Sequence, residues 1–250
     1  MTKRLTIFAF GMGCYAIFNL TYLYFAGFLA NLGVAKGIDS GGVVSLGEAA
    51  AINGLLLTIF AVQHSLMARS GFKRQWTRII PEPAERSAYL LCSSLVMLLL
   101  FWQWRPMPGT VWRLDNVAGS TVMTALFWAG WALIVLSTFL VNHFDLFGLR
   151  QTYLQLRGRE YREIAFKTPA LYRLVRHPIM LGMLITFWAT AHMTTGHLFF
   201  ALGMTIYILI GLHFEERDLV RQLGPTYAEY QQRVPMLLPI PKKCWRLRQL

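Results

Sequence analysis

Apolar residues run through the chain in six long stretches, separated by polar segments of unequal length. A helix that spans a bilayer needs roughly 20 mostly apolar residues, with about 17 as the lower limit. Because backbone N–H and C=O groups find no partners in hydrocarbon, each stretch of this length is predicted to be a helix. The last two are predicted to form a tight helical hairpin. The six stretches are Leu5–Ala30, Ala49–Leu66, Ser87–Trp104, Ser120–Val141, Ile179–Thr195 and Leu198–Phe214.

The composition is that of a chain that lies in lipid rather than in water. Of the 250 residues, 55% are hydrophobic and only 14% are charged, and the mean hydropathy is +0.43. A soluble domain usually carries about 25% charged residues, so a water-soluble or disordered chain is excluded. The predicted fold class is all-α: a polytopic membrane helix bundle of five to six transmembrane helices.

The basic residues are concentrated on one predicted side of the membrane. Of the 24 Lys and Arg residues, all but Lys36, Arg105 and Arg113 precede the first stretch, follow the sixth, or lie between the second and third or the fourth and fifth. Because cytoplasmic loops carry the excess of basic residues, both termini are predicted to be cytoplasmic. The net charge of +12 then reflects topology and contact with lipid headgroups. No zinc-finger or helix-turn-helix pattern points to nucleic acid.

Cysteines and histidines form no metal-binding pattern in the sequence. Cys14, Cys92 and Cys244 are far apart without CxxC spacing, so they are predicted to be packing residues. No two histidines have the HxxH or HxxxH spacing that places two imidazoles on one helix face. No metal is therefore expected. The histidines are His64, His143, His177, His192, His197 and His213.

The strongest chemical signal is the segment Arg176–Gly182, where the fifth stretch begins. Pro178 suits the first position of a helix, and the N–H groups exposed there favour an anion. Arg176 and His177 add hydrogen-bond donors, and Gly182 allows something to approach the helix closely. The segment indicates either an anion site or simply an interfacial arginine at a helix start.

Two adjacent acids follow the sixth stretch. Glu215 and Glu216 oppose the helix macrodipole there, and neither has a basic residue four positions further on. Their charges need partners from elsewhere. Arg173 or Arg176 would form an interhelical salt bridge, and a ligand with hydroxyl and ammonium groups is the alternative.

The tail that follows carries two tyrosines on a short amphipathic helix, which begins after a Gly-Pro pair. Tyr227 and Tyr230 are three residues apart, and Arg233 is three residues further on. The Pro-rich segment up to Pro241 is predicted to be extended and able to lie over a pocket. Anchoring at the membrane interface is the simpler interpretation of the tyrosines.

Together, the RHPxxxG, EExxL, GxxYxxY and RVP motifs resemble the C-terminal core of the membrane methyltransferases typified by isoprenylcysteine carboxyl methyltransferase, over residues 172–241. In that family this region binds S-adenosylmethionine between a helical hairpin and the tail. Met180 stands where that family often has a tyrosine, which argues against a prenylated substrate. The cofactor-binding residues that the resemblance implies are Tyr172, Arg176, His177, Gly182, Glu215, Glu216, Tyr227 and Tyr230.

The physical chemistry of these residues suits that cofactor. Arg176 and the helix terminus would bind the methionyl carboxylate. A glutamate would hold the ribose hydroxyls or the amino group, and the tyrosines would pack against the adenine.

Nearly the whole chain also resembles the bacterial methanethiol S-methyltransferases, through the segments Gln63–Arg69, Phe101–Pro106 and Asn142–Gln151. This resemblance implies that S-adenosylmethionine methylates methanethiol, giving dimethyl sulfide and S-adenosylhomocysteine, at the cytoplasmic side of the bacterial inner membrane. The chain is then one integral membrane domain, 1–250. In it, residues 1–141 form a four-helix substrate-side bundle, 142–177 a cytoplasmic connector and 178–250 the cofactor-binding hairpin and tail.

Methyl transfer to a thiol requires thiolate, because the thiol is a weak nucleophile. His64 and His143 lie at the predicted cytoplasmic helix ends and are the candidate proton acceptors. Arg150 and Arg233 are the candidate cations that would hold the thiolate. Helix packing or lipid-phosphate contact is the alternative role for each of these four, and the sequence does not decide which group removes the proton.

Three other functions stay open at the level of sequence. The same chemistry on hydrogen sulfide, another small thiol or a prenylcysteine carboxylate is the first. A nicotinamide-dependent membrane reductase is the second, although the small polar content leaves little room for a dinucleotide. A non-enzymatic NnrU-like membrane protein is the third.

Overall fold

The computed structural model describes residues 1–240, and most of them are helical. Pro241 and Cys244, to which the sequence assigns roles in the tail and in packing, lie outside the described residues. The helices are α1 (Thr2–Ala30), α2 (Leu46–Ala68), α3 (Ser70–Trp76), α4 (Glu85–Gln103), α5 (Val117–Val141), α6 (His143–Leu146), α7 (Leu149–Leu156), α8 (Pro178–Trp188), α9 (Thr195–Leu223) and α10 (Pro225–Arg233). The remaining elements are the strands β1 (Thr110–Arg113) and β2 (His192–Thr194) and the 3-10 turns Glu82–Ala84 and Ala170–Arg173.

Among the described residues, five helical segments are long and apolar enough to cross a membrane. They are α1, α2, α4 with the turn before it, α5 and α9. The predicted fold class, an all-α polytopic membrane protein, is confirmed. The side of the membrane on which the termini lie stays a prediction.

The predicted fifth helix, Ile179–Thr195, is wrong in its length. α8 ends at Trp188 after 11 residues, which corresponds to only about 16 Å at 1.5 Å per residue. Residues 189–194 separate α8 from α9, in place of the two predicted. The reason is a backbone pairing that the apolar pattern does not reveal, since β2 forms an antiparallel pair with β1 and its N–H and C=O groups bond there.

Several helix boundaries follow from local signals. Ser45 caps α2 by accepting a hydrogen bond from the Glu48 N–H at 3.2 Å, as expected for a Ser-x-x-Glu start. Pro178 occupies the first position of α8, as the sequence predicts. α9 ends before Gly224, whose φ of 61° is a backbone conformation that glycine adopts freely.

The contacts divide the described chain into two compact units. The first comprises Met1–Arg113, Asn142–Ala165 and His192–Phe200. In this unit α1 packs against α4 and α7, and α2 packs against α4. Its core is aromatic: the rings of Phe28 and Phe101 lie 4.9 Å apart.

The second unit comprises Leu114–Val141, Phe166–Ala191 and the residues from Ala201 onward. It includes α5, which the sequence predicts to lie in the first four-helix bundle. α5 packs closely against α8. The Leu114 N–H, just before α5, donates to the Ala191 carbonyl at 2.9 Å.

Candidate functional site

The carboxylate of Glu216 is the centre of a buried polar cluster in the second unit. Its Oε1 accepts hydrogen bonds from Arg176 Nε at 2.9 Å, from His177 Nε2 at 2.6 Å and from the Tyr227 hydroxyl at 2.8 Å. Its Oε2 accepts from Arg176 Nη2 at 2.7 Å and from Gln231 Nε2 at 2.5 Å. The interhelical salt bridge that the sequence allows is thus present, with Arg176 as the partner.

The chain after α10 closes over the start of α8. Arg176 Nη1 donates to the Val234 carbonyl at 2.5 Å. The backbone N–H of Arg176 donates to the Pro235 carbonyl at 2.9 Å, and that of His177 to the Met236 carbonyl at 3.1 Å. These bonds fix the tail on the polar cluster; that the Pro-rich segment lies over a ligand pocket stays a prediction.

The predicted tyrosines occupy two positions in this cluster. Tyr227 is buried, with its hydroxyl on Glu216. The Tyr230 hydroxyl donates to the Tyr172 carbonyl at 2.5 Å, and Phe166 packs edge-on against both rings, 5.7 and 5.5 Å away. Burial raises the pKa of Tyr230 to about 12 and raises the pKa of Tyr227 as well. Both phenols therefore stay protonated at neutral pH and act as donors.

A cavity of about 680 Å³ opens beside the cluster. This volume lies within the range of about 300–1,000 Å³ that small-molecule pockets have. Polar and apolar groups both reach it. Its lining residues are Leu209, His213, Glu216, Arg217, Val220, Arg221, Gln231 and Met236.

Glu215 lies at the edge of the cluster. Its side chain is about half exposed, and its Oε2 is 3.9 Å from His177 Nδ1. Arg173, the other predicted partner of the two acids, is exposed, and its Nε donates to the Thr168 carbonyl at 3.2 Å.

Gly182 is buried against α5. A Cβ at Gly182 would lie 2.8 Å from the Gly130 carbonyl oxygen and 2.6 Å from Ile134 Cγ1, and one at Gly130 would lie 2.9 Å from the Gly182 carbonyl oxygen. The close approach that Gly182 permits is therefore that of helix α5. A direct cofactor contact at this residue stays a prediction.

Gly182→Ala is expected to lower the free energy of unfolding by about 1–3 kcal/mol, because the added methyl group clashes with backbone that cannot move aside. Gly211 in α9 is the matched control, since a Cβ there would meet nothing within 4 Å. Gly211→Ala should be neutral or stabilising by up to about 1 kcal/mol. Thermal unfolding in detergent compares the two, and wild-type stability of Gly182→Ala would contradict the packing role.

The two candidate proton acceptors lie in the first unit. His64 is on α2, with its Nδ1 3.3 Å from Ser93 Oγ. His143 begins α6, with its Nε2 2.6 Å from the Tyr15 hydroxyl. Burial lowers the pKa of His143 below its ordinary value of 6.5, so its imidazole is neutral at pH 7.

The two candidate cations differ in their surroundings. Arg150, in the first unit, donates to Asp145 Oδ1 at 2.8 Å, and its guanidinium lies 5.3 Å from the centre of the Tyr161 ring. The Arg233 side chain is 79% exposed and 3.7 Å from Glu229, so it lies outside the cluster around Glu216.

Sequence reasoning missed several polar residues of these sites. Gln231 was not singled out, although it follows Tyr227 by four residues and so shares its helix face. Asp145 was not singled out either, although its carboxylate also accepts from Arg86 Nη1 at 3.3 Å. Among residues 1–240, no three His, Cys, Asp or Glu side chains are placed to hold a metal ion.

The fold and the pocket define a polytopic helical membrane protein with a buried, carboxylate-centred polar cluster near its C-terminus. The family model described as NnrU protein matches residues 54–239, and the chain belongs to this family.

The chain is also similar to curated proteins over most of its length. Methanethiol S-methyltransferase of Mycobacterium tuberculosis is 50% identical over 96% of this chain and 99% of its own length. Methanethiol S-methyltransferase 2 of Bradyrhizobium diazoefficiens is 50% identical over 96% and 92%. Mouse nurim is more distant, at 29% identity over 66% and 65%. No solved structure matches the chain. The predicted membership is confirmed, and the chain is an enzyme of the methyltransferase class.

Proposed function

We propose that this enzyme transfers a methyl group from S-adenosylmethionine to methanethiol, at the cytoplasmic side of the bacterial inner membrane. Dimethyl sulfide and S-adenosylhomocysteine are the products. The observation that carries the proposal is the 50% identity to a methanethiol S-methyltransferase over 96% of this chain and 99% of that relative. The match covers nearly the full length of both proteins.

The donor fits the cavity of the second unit in size and in chemistry. When bound, it would supply an electrophilic methyl group on a sulfonium sulfur. Gln231 and Met236 line the cavity, and Glu216 forms part of its wall. A carboxylate has about four lone-pair sites, and Glu216 accepts five hydrogen bonds from described residues. We therefore propose that Glu216 stabilises the wall of the pocket and does not bind the ribose.

The thiol proton must leave before or during transfer. The new S–CH3 bond of the product then forms while the sulfonium S–CH3 bond breaks, so charge and atoms balance once a base has taken the proton. His143 and His64 are the proposed bases. Arg150, which donates to Asp145, and Arg233, which lies at the surface next to Glu229, are the alternative groups that would hold the thiolate.

Headspace gas chromatography tests the proposed reaction. Membranes that contain the protein, given methanethiol and S-adenosylmethionine, should release dimethyl sulfide, and membranes without the protein should not. Hydrogen sulfide, supplied in parallel, should give little methanethiol. A prenylcysteine should likewise give little methyl ester. Absence of dimethyl sulfide with wild-type protein would refute the function, and faster turnover of another acceptor would correct the substrate.

A further inference from the structure

The donor carries a carboxylate on its methionine moiety, and Arg176 is not available to bind it. The Arg176 Nε and Nη2 groups donate to Glu216, and Nη1 donates to the carbonyls of Gln231 and Val234. The Arg176 side chain is only 8% exposed. A ligand carboxylate in this pocket therefore needs a different cation.

One face of α9 places two such cations, Arg217 and Arg221, beside the cavity. His213, Arg217 and Arg221 follow one another at intervals of four residues and all three line it, because residues four apart lie on the same side of a helix. No acidic side chain of residues 1–240 lies within salt-bridge distance of Arg217. Arg221 Nη1 is 3.4 Å from Asp218 Oδ1, and its side chain is 69% exposed.

We infer that Arg217, assisted by Arg221, binds the carboxylate of the methionine moiety of S-adenosylmethionine. The inference rests on the proposed function and adds a binding role for two residues outside the predicted site. A planar guanidinium matches a carboxylate with two parallel hydrogen bonds. The negative charge of Glu216 in the same wall does not oppose this, because Arg176 compensates it. Leu209 and Val220 supply apolar surface in the rest of the lining.

Isothermal titration calorimetry of the full chain in detergent measures how much the ligand carboxylate contributes to binding. The probes are S-adenosylhomocysteine and its α-carboxamide, which differ only at that one group: the amide is uncharged and has an NH2 in place of one carboxylate oxygen. Wild-type protein should bind the carboxylate form about tenfold more tightly than the carboxamide, since hydrogen bonds to charged groups contribute that much. In Arg217→Gln/Arg221→Gln the ratio should fall to about one, with affinity for the carboxamide unchanged.

Lys167→Gln is the matched control, because Lys167 is exposed and is not among the residues that line the cavity. It should keep the tenfold ratio. A ratio that survives in the double variant, or that is already one in wild type, would overturn the carboxylate assignment while leaving the cofactor in place. Wild-type protein that binds neither probe would overturn the proposed cofactor, and the inference with it.

Discussion

Glu216→Gln is expected to lower the free energy of unfolding by about 3–5 kcal/mol, because it leaves the buried Arg176 guanidinium without its counter-charge. The side chains of Glu216 and Arg176 are only 11% and 8% exposed. The amide also offers one acceptor oxygen where the carboxylate offers two, so the bonds from His177, Tyr227 and Gln231 are not all kept. The variant should bind no S-adenosylhomocysteine, since these bonds hold the wall of the pocket.

The neighbouring acid provides the control for this prediction. Glu215 is 48% exposed and its nearest charged partner is His177 Nδ1 at 3.9 Å, so Glu215→Gln should cost no more than about 1 kcal/mol. Thermal unfolding in detergent and titration with S-adenosylhomocysteine measure the two effects separately. Equal stability of the two variants would show that the cluster around Glu216 is not a structural centre.

Local signals in the sequence predicted much of this molecule. The apolar stretches gave the long helices, since burial of the backbone in lipid leaves no other structure. Pro178 marked the start of α8 because its missing N–H costs nothing at a first helical position. The acids at 215 and 216 lacked partners within their own helix, and Glu216 does find its partner elsewhere, at Arg176.

The end of α8 could not be predicted in this way. Residues 189–194 leave the helix because β2 pairs with β1, a segment about eighty residues earlier in the chain. The residues of β2 alone do not identify a partner so distant in the sequence. Glu216 pairs with Arg176 rather than with Arg173 for a similar reason. Arg176 also donates to the Val234 carbonyl, and this contact with the tail is distant in the sequence.

The face of α10 was predicted only in part. Steps of three residues drift around a helix, so at about 100° per residue Arg233 lies about 120° from Tyr227, whereas Gln231 lies only about 40° from it. Gln231 accordingly contacts Glu216 with Tyr227, and Arg233 faces outward. Helix geometry alone therefore selects Gln231 as the residue that shares a face with Tyr227, whereas the three-residue spacing of the tyrosines selects Arg233.

Arg176→Met should also cost about 3–5 kcal/mol of unfolding free energy, because the buried carboxylate of Glu216 and the carbonyl of Val234 lose their donors. The test of a direct interaction is the double variant Arg176→Met/Glu216→Gln. It removes both charges together, so its cost should fall short of the sum of the single variants by about 1–3 kcal/mol.

The surface pair Glu229 and Arg233, 3.7 Å apart, supplies the comparison, since its side chains are 66% and 79% exposed. The same cycle on that pair should give a coupling of only about 0.3–0.5 kcal/mol. Thermal unfolding of the six variants and wild type yields both couplings under identical conditions. If the costs at 176 and 216 were simply additive, the two charges would act independently, and the closure of the tail over the pocket would need another cause. A coupling well above that of the surface pair ties the tail to Glu216 through Arg176, whose guanidinium also donates to the Val234 carbonyl.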